Sequence, residues 1–353
     1  MKALLVSILL CFSVNLSVAD LCSYNFTLDD LPNGVTGDIW SIIANSLIYE
    51  ITNCSSIEYA GEKIDFWLYT RGGTPDGVKV NSGAGDTSIL KGKKTIVLMH
   101  GFLCSHKNNL IPELKDAYLK KYDANVIAID WSAYSMDVYA KVFCNVPRIA
   151  ETTAKFLCKA DSEQNIDIEN LHVVGHSMGG QLAGLTGQET QAQCSKLLGR
   201  ISGLDPAGPL YSLKSKSRRL DASDAKEVMV SHTNQGLLGY AGNCGTADYY
   251  PNFGIFQEGC SVFNSPSSSV FDKLAYPAVC SHLRAVDYMI ESINSDSFYG
   301  KSCFWCSSCL ANPFTGTRGV MGEHFTYAEA GCSYYMDTNA KSPYGKGSEY
   351  YGV

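Results

Sequence analysis

The chain has 353 residues, 45% of them hydrophobic, with a formal net charge of −7. That composition suits a globular protein with a sizeable core and argues against disorder. The acidic balance argues against a nucleic-acid partner and against direct attraction to an anionic membrane, so any lipid contact should be apolar.

Lys2 precedes an apolar run from Ala3 to Phe12, and Ser17-Val18-Ala19 follows as a small-x-small cleavage pattern. This predicts a signal peptide over 1–19, cleavage after Ala19 and export of residues 20–353. The run is too short to span a bilayer, and no later stretch reaches about 18 uninterrupted apolar residues, so no integral membrane segment is expected. Fourteen cysteines fit an oxidising compartment, and Cys11 leaves with the signal segment. The remaining odd count leaves one free thiol or an intermolecular bridge. Asn25-Phe26-Thr27 and Asn53-Cys54-Ser55 are glycosylation acceptors in an exported chain.

Ile64, Phe66 and Leu68 alternate with Asp65, Trp67 and Tyr69, the pattern of a strand. A Gly-rich loop follows over 72–92. Thr95 to Met99 reads as a buried strand ending at His100-Gly101, and Leu110, Ile111, Leu114 and Tyr118 have helical spacing. Val126 to Ile129 is another buried strand, ending at Asp130-Trp131. A helical pattern covers about 137–158, with a break expected at Pro147. Leu171 to Val174 forms a strand ending at Gly175, and Met178 to Gly187 a helix. Ile201 to Leu204 and Val228 to Ser231 complete the series. Strands alternating with helices predict an α/β fold, its mainly parallel sheet covered on both faces. Active groups then belong at the carboxyl ends of the strands, where His100, Ser177 and Asp205 fall.

Gly175-His176-Ser177-Met178-Gly179 matches the nucleophile elbow G-x-S-x-G, with the required strand before it and helix after it. The serine sits on a tight turn where side chains at either glycine would collide with neighbouring elements. The amino end of the next helix points at the developing oxyanion. Such a serine needs a histidine to take its proton and a carboxylate to orient that histidine, in the chain order Ser, acid, His. Asp205 ends the strand after the nucleophile's helix, within a turn rich in proline and glycine. An ordinary turn aspartate is the bland alternative. Of the histidines after Ser177, His282 precedes a helical pattern of Leu283, Val286, Ile290 and Ile293. It ranks modestly above His232, which reads as a satisfied core histidine, and above His324.

With these residues in place, the sequence resembles the pancreatic-lipase family of animal lipases, from about Ile64 to Gly347. The resemblance rests on His100-Gly101-Phe102, Val126 to Trp131, Gly175 to Gly179, Gly203 to Pro209 and Arg219 to Ala225. Ser231-His232-Thr233, Tyr250-Pro251-Asn252 and Cys280 to Ala285 match as well. It implies an α/β-hydrolase fold in one lipase-type domain, 20–353. It also implies a triad of Ser177, Asp205 and His282, with an oxyanion hole from the amides of Phe102 and Met178. Further, it implies a surface lid between disulfide-bonded Cys260 and Cys280, made apolar by Val262, Phe263, Val270, Phe271, Leu274 and Tyr276. Several relatives hold a structural calcium, which here would fall to the carbonyls of Lys216 and Arg219 and the carboxylates of Asp221 and Asp224. No cofactor is required for the chemistry.

The sequence departs from the family at Gly180, where alanine is usual. The short loop from Thr233 to Asp248 points to the phospholipase A1 branch, whereas the long lid points away from it. With the chain ending at Val353, the lipid-associating β-sandwich domain of the pancreatic and lipoprotein lipases is expected to be absent, and a colipase-type partner is not expected. Cys303, Cys306, Cys309 and Cys332 read as disulfide cysteines and not a zinc site. The expected function is hydrolysis of a lipid acyl ester, on a triacylglycerol or at the sn-1 position of a phospholipid. The alternatives are a catalytically silent lipid-binding or storage protein of yolk-protein type, and a peptidase or short-chain esterase. The apolar lid argues against the last two.

Overall fold

The computed structural model describes residues 54, 57, 59, 63–80, 90–107, 110–265, 270–302 and 317–348. The expected signal segment, the acceptor asparagines Asn25 and Asn53, and Cys303, Cys306 and Cys309 lie outside these residues.

Eleven strands form one sheet among the described residues. In chain order they are β1 (Asp65–Thr70), β2 (Val78–Val80), β3 (Lys94–Met99), β4 (Ala124–Asp130), β5 (His172–His176) and β6 (Leu198–Leu204). Then come β7 (Ala225–Ser231), β8 (Ala247–Pro251), β9 (Tyr299–Ser302), β10 (Arg318–Val320) and β11 (Cys332–Met336). The spatial order is β10-β9-β11-β8-β7-β6-β5-β3-β4-β1-β2. The seven strands from β11 to β4 run parallel, and antiparallel pairs close both edges.

The apolar runs follow from this layering. Successive side chains on a strand point to opposite faces, and here both faces are covered. Val97 and Met99 of β3, with Ile127 and Ile129 of β4, join the core beneath helices α3 (Tyr139–Ser162) and α4 (Met178–Cys194). Ile96, Leu98, Val126 and Ala128 face the other core, beneath helices α1 (Leu110–Lys121) and α5 (Val270–Ser292). One short helix, α2 (Ser132–Ser135), follows β4.

Strand order reverses between β3 and β5, since the chain goes from β3 outward to β4 and returns on the other side to β5. The crevice at such a switch point is where open α/β sheets place their ligands. Gly101-Phe102 and Ser177 stand on its two lips.

The break expected at Pro147 does not occur. Helix α3 runs through it, because Phe143, Val146, Ile149 and Ala150 bury one continuous stripe against the sheet. That burial offsets the roughly 3 kcal/mol cost of an interior proline. The disulfide Cys158–Cys194 ties α3 to α4, and Cys54–Cys144 ties α3 to the segment before β1. Cys332 is disulfide-bonded as expected. Among the described residues the free thiol is Cys244, and it is buried. No helix among them is long and apolar enough to cross a membrane.

Candidate active site

The elbow forms as its spacing demands. Ser177 sits between β5 and α4 at φ 56°, ψ −123°. A Cβ on Gly175 would lie 2.1 Å from the Gly179 carbonyl oxygen, and one on Gly179 would lie 2.2 Å from that of Met99. Only glycine fits at either place. The turn is pinned to β6: Ser177 N–H donates to the Leu204 carbonyl (3.0 Å), and Ala207 N–H donates to the Ser177 carbonyl (3.0 Å). At Gly180 a Cβ would meet the Gly175 oxygen at 3.2 Å and Pro206 at 3.3 Å, a tight position for the alanine usual in relatives.

Asp205 follows β6 at φ 40° and is fully buried. Its Oδ1 accepts the N–H groups of Thr233 (2.9 Å) and Asn234 (3.0 Å), and its Oδ2 faces His282 Nδ1 at 2.5 Å. Nδ1 of His282 therefore carries the proton, and Nε2 is left as the basic nitrogen. Gly239 covers the carboxylate closely: a Cβ there would lie 2.4 Å from Oδ1.

His282 is not at a loop end, as the sequence suggests, but inside α5. The helix starts well upstream of the apolar stripe that marks it in the sequence. Its backbone carbonyl accepts a hydrogen bond from His176 Nε2 (3.1 Å), and the two rings lie 4.5 Å apart. Burial, then the neighbouring His282, holds His176 well below the ordinary histidine range, so it stays neutral.

Ser177 and His282 line one cleft of ≈ 410 Å³. Phe102, Tyr139, Pro209 and Leu238 make its walls apolar. Phe102 reaches the cleft on the turn after β3, which His100 braces. The His100 ring stacks on Trp131 at 4.8 Å and accepts the Trp131 backbone N–H at Nε2 (3.2 Å). Met178 is the first residue of α4, so its N–H belongs to the open first turn of the helix.

His232 is the core histidine the sequence suggests, although it lies just past β7 and not within the strand. It is fully buried, stacked on Tyr250 at 4.4 Å, and bonded through Nε2 to Asp248 (2.8 Å). His232, Cys244 and Asp248 lie close enough to hold a metal ion. The Asp248 carboxylate, however, already accepts the Cys244 and Gly245 N–H groups, so the group reads as a satisfied polar core.

The residues expected to bind calcium do come together, but they partner one another. Gln188 Nε2 lies 3.1 Å from the Lys216 and Arg219 carbonyls and 3.0 Å from Asp224 Oδ1. Asp224 Oδ2 accepts the Asp221 N–H, while Lys216 and Arg219 pair with the Asp221 carboxylate. Burial, only partly offset by hydrogen bonds, pushes the Asp224 carboxyl up to about 8. Gln188 Nε2 thus sits among three of the four oxygens that the resemblance assigns to calcium, while the Asp221 carboxylate is paired with Lys216 and Arg219.

The Cys260–Cys280 disulfide is formed. Between its ends the chain is not all loop. A short turn, Val262–Asn264, leaves Phe263 94% exposed, and α5 already runs from Val270.

A parallel sheet with a strained serine elbow at its switch point defines the α/β-hydrolase class. Within that class the chain belongs to the Lipase family, whose model matches residues 52–344. It is 31% identical over 222 residues to pancreatic triacylglycerol lipase of Myocastor coypus, covering 60% of this chain and 48% of that one. It is 33% identical over 236 residues to phospholipase A1 member A of Mus musculus (66% and 49%). To phospholipase A1 of Polybia paulista it is 28% identical over 312 residues (83% and 92%). The chain thus spans about half the length of the first two relatives and nearly all of the third.

Proposed function

We propose that the chain is an exported enzyme that hydrolyses acyl esters of glycerolipids, the bond shared by triacylglycerols and phospholipids. The observation that carries this reading is the 2.5 Å contact between buried Asp205 and His282, whose ring lines the cleft that Ser177 also lines. Ser177 Oγ attacks the acyl carbonyl while His282 Nε2 takes its proton. Asp205 holds Nδ1–H and stabilises the imidazolium that forms. The amides of Phe102 and Met178 receive the oxyanion, each worth about 10²–10³ in rate. His282 then protonates the departing alcohol, and water releases the acyl group from Ser177 by the same steps in reverse. The apolar cleft walls suit a fatty acyl chain. The segment between Cys260 and Cys280, with exposed Phe263, serves as the lid. Three disulfides among the described residues and the predicted signal segment support export.

The test is hydrolysis of a triacylglycerol and a phospholipid with matched acyl chains by the purified protein and by Ser177→Ala. Turnover of at least one substrate, lost in the variant, is expected. No turnover of either, or full turnover by the variant, would overturn the reading.

A further inference from the structure

Beyond β8 the chain passes through three consecutive residues at positive φ: Asn252 (50°), Phe253 (63°) and Gly254 (73°). Glycine adopts this region freely, but a bulky residue there is an outlier that its surroundings must impose. The surroundings do so with side-chain hydrogen bonds. Asn252 Nδ2 donates to Gln257 Oε1 and Thr338 Oγ1 (both 2.8 Å), and Gln235 Nε2 donates to the Phe253 carbonyl (2.9 Å). Asn234 Nδ2 donates to the Ile255 carbonyl (2.8 Å), and Gln257 N–H to Ser281 Oγ (2.9 Å). Two of these clamps are close to the reacting groups. Asn234 also donates its N–H to Asp205, and Ser281 precedes His282.

So firm a backbone would be expected to bury its apolar side chains, and it does the opposite. Phe253 is 65% exposed, Ile255 45% and Phe256 49%. They project from the carboxyl end of β8, on the rim where the parallel strand β5 delivers Ser177. From Ser231 to Gln257 the sequence holds one acidic or basic residue other than His232, Asp248, and it is buried; the exposed carboxylate of Glu258 follows directly. A chain of net charge −7 thus presents an apolar prong beside its cleft, with a lone carboxylate, Glu258, at its foot and no cation to draw an anionic surface. The matching partner is an uncharged or zwitterionic apolar assembly.

We infer that Phe253, Ile255 and Phe256 form a fixed lipid-docking prong that enters the surface of a zwitterionic lipid aggregate. It is separate from the disulfide-closed segment 260–280. The prong needs no opening step, because its backbone is held in place before contact. It seats the cleft mouth on the surface that supplies the acyl chain. This inference rests on the proposed hydrolysis of lipid esters.

The test uses the full chain carrying Phe253→Ser, Ile255→Ser and Phe256→Ser together, and separately Phe253→Gly. The glycine removes the side chain while relaxing the backbone, so that variant should fold at least as well as the parent. Co-sedimentation with phosphatidylcholine vesicles should fall at least tenfold for the triple variant and severalfold for Phe253→Gly. Turnover of a soluble short-chain ester should stay within twofold for both. Unchanged co-sedimentation would overturn the inference, as would an equal loss on vesicles and on the soluble ester. A parent dimer that the triple variant converts to monomer would assign the patch to a second copy of this chain instead. Stronger binding to phosphatidylglycerol than to phosphatidylcholine would refute the uncharged match. A parent that binds vesicles yet cleaves no ester would sink the proposed function and leave the docking result standing.

Discussion

Replacing Gly239 by alanine places a methyl carbon 2.4 Å from Asp205 Oδ1, about 1 Å inside ordinary van der Waals contact. The carboxylate must give way by about that much, since the Gly239 backbone is itself tied to Asn234. A shift of this size stretches the 2.9 and 3.0 Å bonds from Thr233 and Asn234 beyond hydrogen-bonding range. It also swings the acceptor that orients His282. Misplacement by about 1 Å near a reacting centre costs on the order of 10²-fold, and loss of the carboxylate's role altogether about 10⁴-fold. We expect kcat on a soluble ester to fall about 10²-fold with KM little changed, because the cleft walls are untouched. Gly236→Ala is the control. Gly236 has φ 77° but nothing within 4 Å of its Cβ position, so alanine there should cost about 1–2 kcal/mol of stability and leave kcat alone. Burst titration separates active-site number from rate, and thermal unfolding reports stability. A folded Gly239→Ala protein with kcat within twofold of the parent would refute the reasoning.

Ser177→Ala should lower ester turnover by about 10⁴–10⁶ with the melting temperature kept, measured on the same soluble ester. His282→Ala should lose a similar factor. His232→Ala should keep kcat and lose about 1–3 kcal/mol in denaturant titration, since Asp248 is left without its ring partner. His172 is buried on β5, and burial, then Arg200, holds it down to about 3. It is neutral in the fold yet takes a proton in the unfolded chain below about 6.5, so its contribution is present above pH 6.5 and lost as pH falls toward 3. Stability should drop by about 2 kcal/mol from pH 7 to pH 5 through this group, and urea titration of His172→Gln should show that much less slope. Chelation by EGTA should shift the melting temperature by no more than about 1–2 °C, because the Gln188 amide and the Lys216 and Arg219 side chains share the oxygens that would bind calcium.

The central strands were legible because a parallel strand buried on both faces must be a short apolar run, as Val126 to Ile129 and Leu171 to Val174 are. Ser177 was legible because the elbow's two glycines are a steric necessity that a sequence displays directly. Asp205 was legible only as the end of the next strand. His282 was found by residue type and resemblance but misplaced, since the apolar stripe of α5 is clearest after it and the helix begins before it. Three features depend on contacts between segments far apart in the chain: Gly239 against Asp205, His176 against the His282 carbonyl, and Gln188 among the calcium-type oxygens. No local pattern records such contacts. The signal for Gly239 was present only as one more glycine in a Gly-rich loop. Pro147 misled because the local cost of a proline is visible in sequence, while the burial that offsets it is not.

The most direct test of a Ser177 nucleophile assisted by His282 is covalent capture by a long-chain alkyl fluorophosphonate, read by mass spectrometry of the digested protein. One phosphonyl group per chain is expected on the peptide containing Ser177, with labelling slowed at least 10³-fold in His282→Ala and abolished in Ser177→Ala. Stoichiometric labelling of another residue, or labelling of Ser177 at the parent rate in His282→Ala, would contradict the account.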